Sequence, residues 1–438
     1  MVELPRSFNG ASCLPIDAIP AQVRAAVRAS EDSGYLYDLT LAQTRAATLI
    51  AALPAAARVY YAVKANSFAP LLGALAGVVH GFEVASVAEA RLAVAAAGAA
   101  ARLVASGPAK NPALLAGLLA PEIPALTVNV ESLLELHRLS RAAVAAGREV
   151  SVALRVNPVG TPVSVDRVGA LTMGALTMGA LTMGALTMGG GASPFGIPEV
   201  EIPAVVAALD VLPGVKFVGF HLHAVSGNMD AARHAEYVRW TLNWSIQTAE
   251  RHRLALRSVD VGGGLGIPFE PGPEFDLATF GAALPEIPAG LELIFEPGRW
   301  LAGPAGWYAT EVVDVKRSYG EAFVVVRGGI NHFQLPTSWE IRHNFAVLPV
   351  DDWPAGMPRP MVERSAVTVA GELCTPEDVL ARDVTVDVVR AGDVLIFPNA
   401  GSYGFEFAMP AFLGHAPALR TALTSQTASR VDDPGKLG

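Results

Sequence analysis

The chain has 438 residues, of which 52% are hydrophobic, so it is long enough to bury a sizeable core in one large domain or two ordinary ones. Lys and Arg number 32 against 41 Asp and Glu, and the formal net charge of −9 excludes a generally basic surface for nucleic acid or anionic membrane. The first residues, MVELPRSFNG, lack the basic start and apolar core of a signal peptide. We therefore expect a cytoplasmic globular protein with a small-molecule partner and with no nucleic-acid or membrane partner.

Short β-rich runs alternate with Ala/Leu-rich helical stretches from residue 59 to residue 296. The helical stretches carry apolar residues three and four positions apart, as amphipathic helices that cover a sheet should. This alternation predicts an α/β fold, a (β/α)8 TIM barrel. Its eight predicted strands are VYYAVK, GFEVAS, ARLVAS, ALTVNV, SVALRVN, FVGFHLH, SVDVGG and LELIFE.

After about residue 305 the pattern changes to strands without long helices, including YATEVVDVKRS and DVLIFPNAG. We predict a second, β-rich domain with a sandwich-like or barrel-like sheet, and Tyr35 to Asp38, before the barrel, could be associated with it. The predicted division is an N-terminal segment associated with the β-domain (1–34), a barrel (35–304), the β-domain (305–423) and a flexible tail (424–438).

One segment is of low complexity, because GALTM occurs four times in tandem within residues 169–191. A five-residue period fits neither a helix nor a strand well. We interpret the segment as a loop lengthened by repeat expansion. The alternative is a mobile lid over the barrel rim.

Polar residues stand at or near the ends of several predicted strands, where the chemistry of such barrels gathers. One interior site could collect all of them. They are Lys64, Glu83, Arg155, His223, Gly262 to Gly264, and Glu296 to Arg299.

Two of these strand ends indicate a phosphate site. VDVGGGLG follows the seventh predicted strand, and EPGRW follows the eighth and adds a fixed cation at Arg299. Glycine-rich turns at these two strand ends are the usual phosphate position in this barrel. A lone GGG would more often be a plain turn, but the pair makes phosphate binding the stronger interpretation.

Lys64 closes the first predicted strand, on the opposite side of the barrel mouth. An amine held within reach of a phosphorylated aldehyde forms a Schiff base with it, which predicts pyridoxal 5′-phosphate as the cofactor. Glu296 would keep the pyridine nitrogen protonated, and His223 would stack on the ring. The alternatives are an ion-paired rim lysine, a carboxylate that stabilises a helix N-terminus, and a core histidine.

The motifs YAVKAN, HAVS, GGG, EPGR, GELCTPEDVL and GSYGFEF occur in this order along nearly the whole chain. In this the sequence resembles the fold type III pyridoxal-phosphate decarboxylases, the family of the ornithine, arginine and diaminopimelate decarboxylases. The resemblance implies an N-terminal barrel, a C-terminal β-domain and a head-to-tail homodimer whose active sites are shared between subunits.

The resemblance also implies a role for each matching residue. Cys374 corresponds to the cysteine that enters from the partner subunit and protonates Cα after carbon dioxide leaves, and Asp378 to the second acid of the same motif. The remaining roles are a Schiff-base lysine (Lys64), a stacking ring (His223), a pyridine partner (Glu296), phosphate ligands (Ser226, Gly262, Gly263, Gly264, Gly298, Arg299 and Tyr403), and charged residues beside the cofactor (Glu83, Glu89 and Arg155).

Two departures from the family pattern bear on the substrate. Thr375 follows the cysteine where the ornithine and diaminopimelate enzymes place an acidic residue that contacts the distal amine. Leu335 stands where diaminopimelate decarboxylases have an arginine that binds substrate carboxylate. Both departures disfavour a diaminopimelate or simple diamine-forming substrate, and they make Thr375 and Asp378 the candidate substrate contacts.

GALTMGGGASPFG and CTPEDVL resemble the branch of the family that acts in siderophore synthesis or on carrier proteins. We therefore expect decarboxylation at Cα of a conjugate such as citryl-diaminopropionate, or of an aminoacyl group tethered to a carrier. The alternatives are a decarboxylase of free basic amino acids or diaminopimelate, an amino-acid racemase, and a non-catalytic cofactor-binding protein. With only Cys13 and Cys374 and no metal-ligand spacing, we expect reduced thiols and no metal.

Overall fold

The computed structural model describes residues 11–30, 32–124, 126–160, 186–187, 192–336, 339, 341, 343–423 and 428–430. They form two compact units. The sheet unit falls within Met1–Leu41, Phe269–Gly272 and Ala302–Gly438, and the barrel unit within Ala42–Pro268 and Pro273–Leu301.

The strands of the described residues are numbered in chain order. They are β1 (Gly34–Asp38), β2 (Ala57–Ala62), β3 (Gly81–Val84), β4 (Leu103–Ala105), β5 (Leu126–Val130), β6 (Val150–Asn157), β7 (Leu186–Thr187), β8 (Ile197–Pro198), β9 (Val215–His221), β10 (Val225–Ser226), β11 (Ser258–Asp260), β12 (Glu292–Phe295), β13 (Gly306–Ser318), β14 (Glu321–Val326), β15 (Ala346–Leu348), β16 (Met361–Ala370), β17 (Val379–Arg390), β18 (Val394–Phe397), β19 (Leu419–Leu423) and β20 (Ala428–Arg430).

The α-helices are numbered in the same way. They are α1 (Ala21–Arg28), α2 (Leu39–Ala52), α3 (Ala69–Ala76), α4 (Val87–Ala97), α5 (Pro112–Leu118), α6 (Leu133–Ala146), α7 (Ile202–Leu209), α8 (Ala231–His252), α9 (Leu277–Ala283) and α10 (Arg299–Ala302). Side-chain oxygens of Ser86, Asn111, Ser132, Asp230 and Asp276 cap the N-termini of α4, α5, α6, α8 and α9. Within the described residues, no helix is both long and apolar enough to cross a membrane.

Eight parallel strands close the barrel. β2, β3, β4, β5, β6, β9, β11 and β12 each pair with the next, and β12 pairs with β2. These are the eight runs predicted from the sequence, so the (β/α)8 fold is confirmed. The strands β2 to β6 are buried along nearly their whole length, as expected of parallel strands covered on both faces.

The sheet unit is built on a mixed sheet in the order β17, β16, β14, β13, β1, β19 and β20, with β18 joining β13 to β15. Val23 and Val27 of α1, with Ile19 just before it, pack into a core with Leu36 and Trp307. The spacing of four between these apolar side chains explains why this short helix forms on the sheet. The predicted β-rich second domain is therefore confirmed.

Two sequence-based boundaries differ from what the structure contains. The predicted barrel domain starts at residue 35, but β1 pairs with β13 and β19 of the sheet unit, in agreement with the alternative that Tyr35 to Asp38 belong with the β-domain. Tyr35 and Tyr37 are buried there, so backbone pairing and aromatic burial both hold this strand in the sheet. At the other end, β20 lies within the predicted flexible tail, yet its backbone pairs with β19.

The GALTM repeats lie outside the described residues except for β7, whose backbone pairs antiparallel with β10. Beyond the repeats, β8 pairs with the end of β6 through Val156 and Asn157. The loop and lid interpretations of the repeats both remain predictions.

Candidate active site

Lys64 is located at the barrel rim, in the single helical turn Val63–Ala65 that ends β2. Its Nζ lies 2.9 Å from Oε2 of Glu83 on the neighbouring strand β3. The Glu83 side chain is fully buried, whereas 45% of the Lys64 side chain is exposed. A buried carboxylate thus orients an amine that a ligand can reach from outside.

Glu296 follows β12 and is buried beside Asp260 at the end of β11 and His221 at the end of β9. One ligating atom from each of the three lies within 4.8 Å of the others. Burial, reinforced by Asp260 and Glu83, holds the pKa of Glu296 well above its usual range. Burial likewise raises the pKa of Asp260 to about 7. Because two buried carboxylates in contact resist double ionisation, the pair retains a proton near neutral pH.

Sequence reasoning missed His221 and Asp260, and with them Asn129, whose Nδ2 lies 3.0 Å from Nδ1 of His221. The amino-acid sequence contained a signal for His221. His221 stands two positions before His223, so both side chains leave the strand end on the same side. The cluster of His221, Asp260 and Glu296 could also coordinate a cation, so the expected absence of a metal stays a prediction.

His223 is partly exposed, and its ring lies 6.4 Å from that of His221, with an angle of 18° between the planes. Burial of its ring nitrogens, with the nearby charges of Arg155 and Lys64, holds its pKa well below the usual range. A neutral imidazole whose face is not fully covered suits the stacking role predicted for His223.

The glycine triplet after β11 packs where no side chain would fit. Gly262 has a φ of 69°, and a Cβ there would lie 2.2 Å from Nδ1 of His223. A Cβ on Gly263 would lie 2.4 Å from the backbone oxygen of Glu296, and one on Gly264, 2.5 Å from Cε1 of His234. The three positions require glycine because the turn is in close contact with the His223 and His234 rings and with the backbone of Glu296.

Gly298 and Arg299 lie in a second turn, after β12, that packs against the turn carrying Lys64. A Cβ on Gly298 would lie 2.7 Å from Cβ of Ala65, the residue next to Lys64. Arg299 is buried at the start of α10, immediately after Gly298. The turn after β12 therefore places the buried guanidinium-bearing residue Arg299 near the turn that carries Lys64.

Ser226 lies beside the glycine triplet. Its strand β10 is followed by Asn228, whose backbone N donates to Gly264 O at 2.7 Å, and Asn228 O accepts from Gly266 N at 2.8 Å. On the other side, Tyr237 of α8 donates its hydroxyl to Leu222 O at 2.6 Å. The segment that carries His223 and Ser226 is thus fixed at both ends.

Arg155 lies in a buried ion cluster, and its charge also acts on His221 and His223. Its expected place beside the cofactor stays a prediction. Its Nη1 lies 3.4 Å from Oε1 of Glu131, and its guanidinium lies over the Phe195 ring at 5.0 Å. The Glu131 carboxylate also accepts hydrogen bonds from Gly107 N and Gly196 N at 3.1 and 3.0 Å. Lys110 and Glu135, which sequence reasoning missed, complete the cluster at a separation of 2.9 Å.

Glu89 was expected beside the cofactor, but its observed contacts are with a helix end. Its Oε2 accepts from Ala85 N at 2.6 Å, and its own N donates to Ser86 Oγ at 3.1 Å. This is a capping box at the start of α4, and the spacing of Ser86 and Glu89 was a readable signal for it.

The other predicted residues lie in the sheet unit. Cys374 is exposed in the loop between β16 and β17, next to the half-buried Thr375. Asp378 is buried, and its two carboxylate oxygens accept hydrogen bonds from Ile330 N and Leu373 N, each at 2.7 Å. The observed role of Asp378 is therefore to hold the cysteine loop, and the substrate contact assigned to it stays a prediction.

Tyr403 adopts a φ of 65°, a left-handed conformation that few non-glycine residues occupy. Its ring meets the Trp339 ring edge-on at 5.1 Å. The same loop binds the segment that carries Leu335, because Gln334 N donates to Gly404 O at 3.0 Å. Retention of a strained backbone by surrounding contacts is typical of functional positions.

The barrel unit fits pyridoxal 5′-phosphate. Glu296 Oε1 is a buried carboxylate oxygen without a hydrogen-bond partner among the described residues, which suits the N–H of a pyridinium ring. The glycine turn, where no Cβ fits, and the buried Arg299 beside it suit a phosphate. Lys64 supplies the amine on the neighbouring turn.

Comparisons with known proteins agree with this fit. The family model described as pyridoxal-dependent decarboxylase, C-terminal sheet domain, matches residues 34–401. The chain is 31% identical over 387 residues to the 2-[(L-alanin-3-ylcarbamoyl)methyl]-2-hydroxybutanedioate decarboxylase of Staphylococcus aureus, covering 87% of this chain and 91% of the relative. It is 30% identical over 406 residues to the L-glutamyl-[BtrI acyl-carrier protein] decarboxylase of Niallia circulans, covering 90% and 89%.

Among solved structures, diaminopimelate decarboxylase from Helicobacter pylori complexed with L-lysine matches with a TM-score of 0.75 and 22% identity, covering 93% of this chain and 95% of that one. This likeness supports the fold. Together with the family match over most of the chain, it completes the assignment begun from the motifs. The chain belongs to the family of pyridoxal-dependent decarboxylases.

Proposed function

We propose that this enzyme removes the Cα carboxylate of an amino-acid conjugate rather than of a free basic amino acid. The observation that carries the chemistry is the buried Glu296, one oxygen of which has no hydrogen-bond partner in the described part of the chain, close to the Lys64 and Glu83 ion pair. A carboxylate at the ring nitrogen favours full withdrawal of the electron pair left at Cα, which suits decarboxylation. Racemases usually place an arginine there, so Glu296 argues against that alternative.

Each residue has a distinct task in this proposal. When bound, pyridoxal phosphate supplies the electron sink for the pair left at Cα as carbon dioxide departs. Lys64 would hold the cofactor aldehyde and Glu296 would keep a proton at the pyridine nitrogen. The backbone of Gly262 to Gly264 with Ser226, Gly298 and Arg299 would bind the phosphate, aided by Tyr403. Cys374 returns a proton to Cα.

The substrate class rests on two positions and two relatives. Thr375 and Leu335 leave no charged side chain at the two places where the sequence analysis expected contacts to a distal amine and carboxylate. The Staphylococcus aureus and Niallia circulans relatives are named for decarboxylation of a citryl-type conjugate and of a carrier-tethered glutamate. Both support a substrate whose distal part is large and not a simple ammonium group.

The test is a mass-spectrometric screen for carboxyl loss, with cofactor present. The substrates are ornithine, lysine, arginine, diaminopimelate, the citryl conjugate and carrier-tethered glutamate. We expect turnover of one conjugate and at least a hundredfold lower kcat/KM on the free amino acids, on the order of 3 kcal/mol. Preferred turnover of a free basic amino acid would overturn the substrate class. Exchange of the Cα hydrogen without carbon dioxide release would favour the racemase.

Lys64→Ala should abolish turnover and the visible absorption of lysine-bound cofactor. The matched control is Lys216→Ala, which removes an exposed lysine 4.0 Å from Glu149 and should leave both unchanged. Substantial turnover by Lys64→Ala would refute the assignment of the lysine, and cofactor binding without any turnover by the wild type would favour a non-catalytic binding protein.

We further propose a homodimer with shared active sites, in which Cys374 serves the Lys64 of the partner. The exposure of Cys374 supports this arrangement. Mixing the inactive variants Lys64→Ala and Cys374→Ala should restore activity, up to about a quarter of the wild-type level for random pairing. No recovery after mixing and verified subunit exchange would contradict sharing. The cytoplasmic location likewise stays a prediction.

A further inference from the structure

A continuous row of buried polar side chains leads to Glu296 from the opposite side of the barrel. Ser106 follows β4, Asn129 lies on β5 and His221 ends β9, and all three are buried. Asn129 Nδ2 lies 3.0 Å from Ser106 Oγ and 3.0 Å from His221 Nδ1. His221 Nε2 in turn lies 3.6 Å from Glu296 Oε2. We call these residues the Ser106–Asn129–His221 relay.

The relay determines which ring nitrogen of His221 carries the proton. An amide nitrogen only donates hydrogen bonds, so the two N–H bonds of Asn129 are directed to Ser106 Oγ and to His221 Nδ1. Nδ1 of His221 is then an acceptor, and the single proton of the neutral ring sits on Nε2. Burial, with the nearby charge of Arg155, holds the pKa of His221 well below its usual range and keeps the ring neutral.

The proton on Nε2 faces Glu296. The distance of 3.6 Å from Nε2 to Oε2 is longer than a hydrogen bond, and neither His221 Nε2 nor Glu296 Oε1 has a hydrogen-bond partner among the described residues. His221 Nε2 is therefore a donor that a small shift of the Glu296 side chain would satisfy. Asp260 occupies the strand between β9 and β12, and its Oδ1 is engaged by Gly262 N at 2.8 Å. Glu296 also has the Asp260 side chain within hydrogen-bond reach. Its Oε2 is thus the oxygen nearest the His221 ring, and its Oε1 is buried without a hydrogen-bond partner among the described residues.

We propose that His221 is a positioning residue, fixed by Asn129 and Ser106 as the Nε2–H tautomer, which directs Glu296 Oε1 to the pyridine nitrogen and keeps that nitrogen protonated. The inference rests on the proposed function for the identity of the ring that Glu296 meets. It concerns residues that neither the motifs nor the relatives pointed to. A reversed Asn129 amide would give the opposite tautomer, with a lone pair of Nε2 facing a carboxylate oxygen.

The first experiment measures the tautomer in the wild type and uses a variant only to assign the signal. Wild-type holoenzyme labelled with 15N-histidine is examined by long-range 1H–15N correlation, and His221 is assigned by its loss from the spectrum of His221→Gln. The expected pattern is that of a neutral ring protonated at Nε2. A ring protonated at Nδ1, or a doubly protonated ring, would overturn the proposal.

The second experiment measures the pyridine proton directly. Wild type, His221→Leu and His221→Gln are loaded with pyridoxal phosphate labelled with 15N in the ring. Leu removes the donor, so its pyridine 15N signal should move towards the unprotonated position, whereas Gln keeps an N–H and should stay near wild type. His137→Leu, an exposed position on α6, is the matched control and should change nothing.

The kinetic consequence separates this inference from the proposed function. On the substrate found in the screen, His221→Leu should lower kcat by about 10- to 100-fold, the effect of one hydrogen bond to a charged group, with KM little changed, and His221→Gln should recover most of it. A wild-type 15N signal and kcat in His221→Leu would refute the relay. Failure of every substrate would refute the proposed function and leave both 15N measurements decisive for the relay.

Discussion

At the scale of single residues, the site depends on positions where one atom more would not fit or one hydrogen bond fewer would release a loop. Gly262 and Asp378 are the clearest cases, and they differ in how readable they are. The GGG motif predicts a turn, whereas no pattern near Asp378 predicts its contact with Ile330, 48 positions away. The contact between Asn129 and His221 spans 92 positions and is hidden for the same reason.

Gly262→Ala should weaken cofactor binding, because the new Cβ would lie 2.2 Å from Nδ1 of His223 at a φ of 69°. We expect the dissociation constant of pyridoxal phosphate, measured by fluorescence quenching, to rise at least tenfold, roughly 1.4 kcal/mol. Gly98→Ala is the control, since it has a φ of 68° and nothing within 4 Å of a Cβ. Equal effects of the two substitutions would mean that backbone strain, not the clash with His223, is responsible.

Asp378→Asn tests whether this acid holds the cysteine loop or touches substrate. An amide can accept at one oxygen only, so either Ile330 N or Leu373 N would lose its acceptor. We expect the free energy of unfolding in urea to fall by about 1–3 kcal/mol. The exposed neighbour Glu377→Gln should leave it unchanged. A raised KM with unchanged stability would instead support the substrate contact.

At the scale of elements, the sequence revealed the barrel because each strand is a short β-rich run followed by a helical stretch. It suggested that Tyr35 to Asp38 could belong with the β-domain but could not reveal which strands β1 pairs with, since GYLYD adjoins α2 in sequence while its partners lie at residues 306–309 and 419–423. It also could not show that Arg155 is held by Glu131, which accepts backbone hydrogen bonds from two other loops. Local pattern predicts elements well, but long-range pairing determines where they lie.

The GALTM repeats are a further element whose contribution to stability can be predicted. Deleting three copies, residues 169–183, leaves the copy whose Leu186–Thr187 backbone pairs with β10. It also leaves the hydrogen bond of 2.7 Å from Val159 N to Oε1 of Glu199, the residue after β8. Because loop length affects closure entropy only weakly, the melting temperature should change by less than about 4 °C, on the order of 1 kcal/mol.

Deleting a single copy, residues 169–173, is the graded control. Unchanged kcat and KM in both deletions would support the interpretation of the repeats as an inert loop. A fall in kcat that grows with the number of copies removed would support the lid. Loss of cofactor binding would contradict our expectation that the copies are dispensable for the fold.

At the scale of the whole molecule, buried titratable groups of both kinds shape the stability of the protein without cofactor. The pKa values of His221 and His223 are lowered mainly by burial, and that of His234 falls to about 4 for the same reason. Histidines of this kind stabilise the fold above about pH 6.5, and their contribution is lost as pH falls. Asp260 acts in the opposite sense.

The pKa of Asp260 is raised from 3.8 to about 7, mainly by burial. The folded state therefore holds a proton that the unfolded chain releases, so this contribution to stability is complete below about pH 4 and is lost as pH rises through 7. Asp260→Asn cannot ionise and lacks that loss. Between pH 5 and pH 8, the cofactor-free wild type should lose stability relative to Asp260→Asn.

The measurement is urea unfolding of both cofactor-free proteins at pH 5 and pH 8, with Asp210→Asn as the control at an exposed position. The control should follow wild type at both values. Parallel behaviour of wild type and Asp260→Asn would mean that Asp260 is already ionised at pH 5. Glu296 would then hold the shared proton alone, and the carboxylate that faces the pyridine site would be the protonated member of the pair.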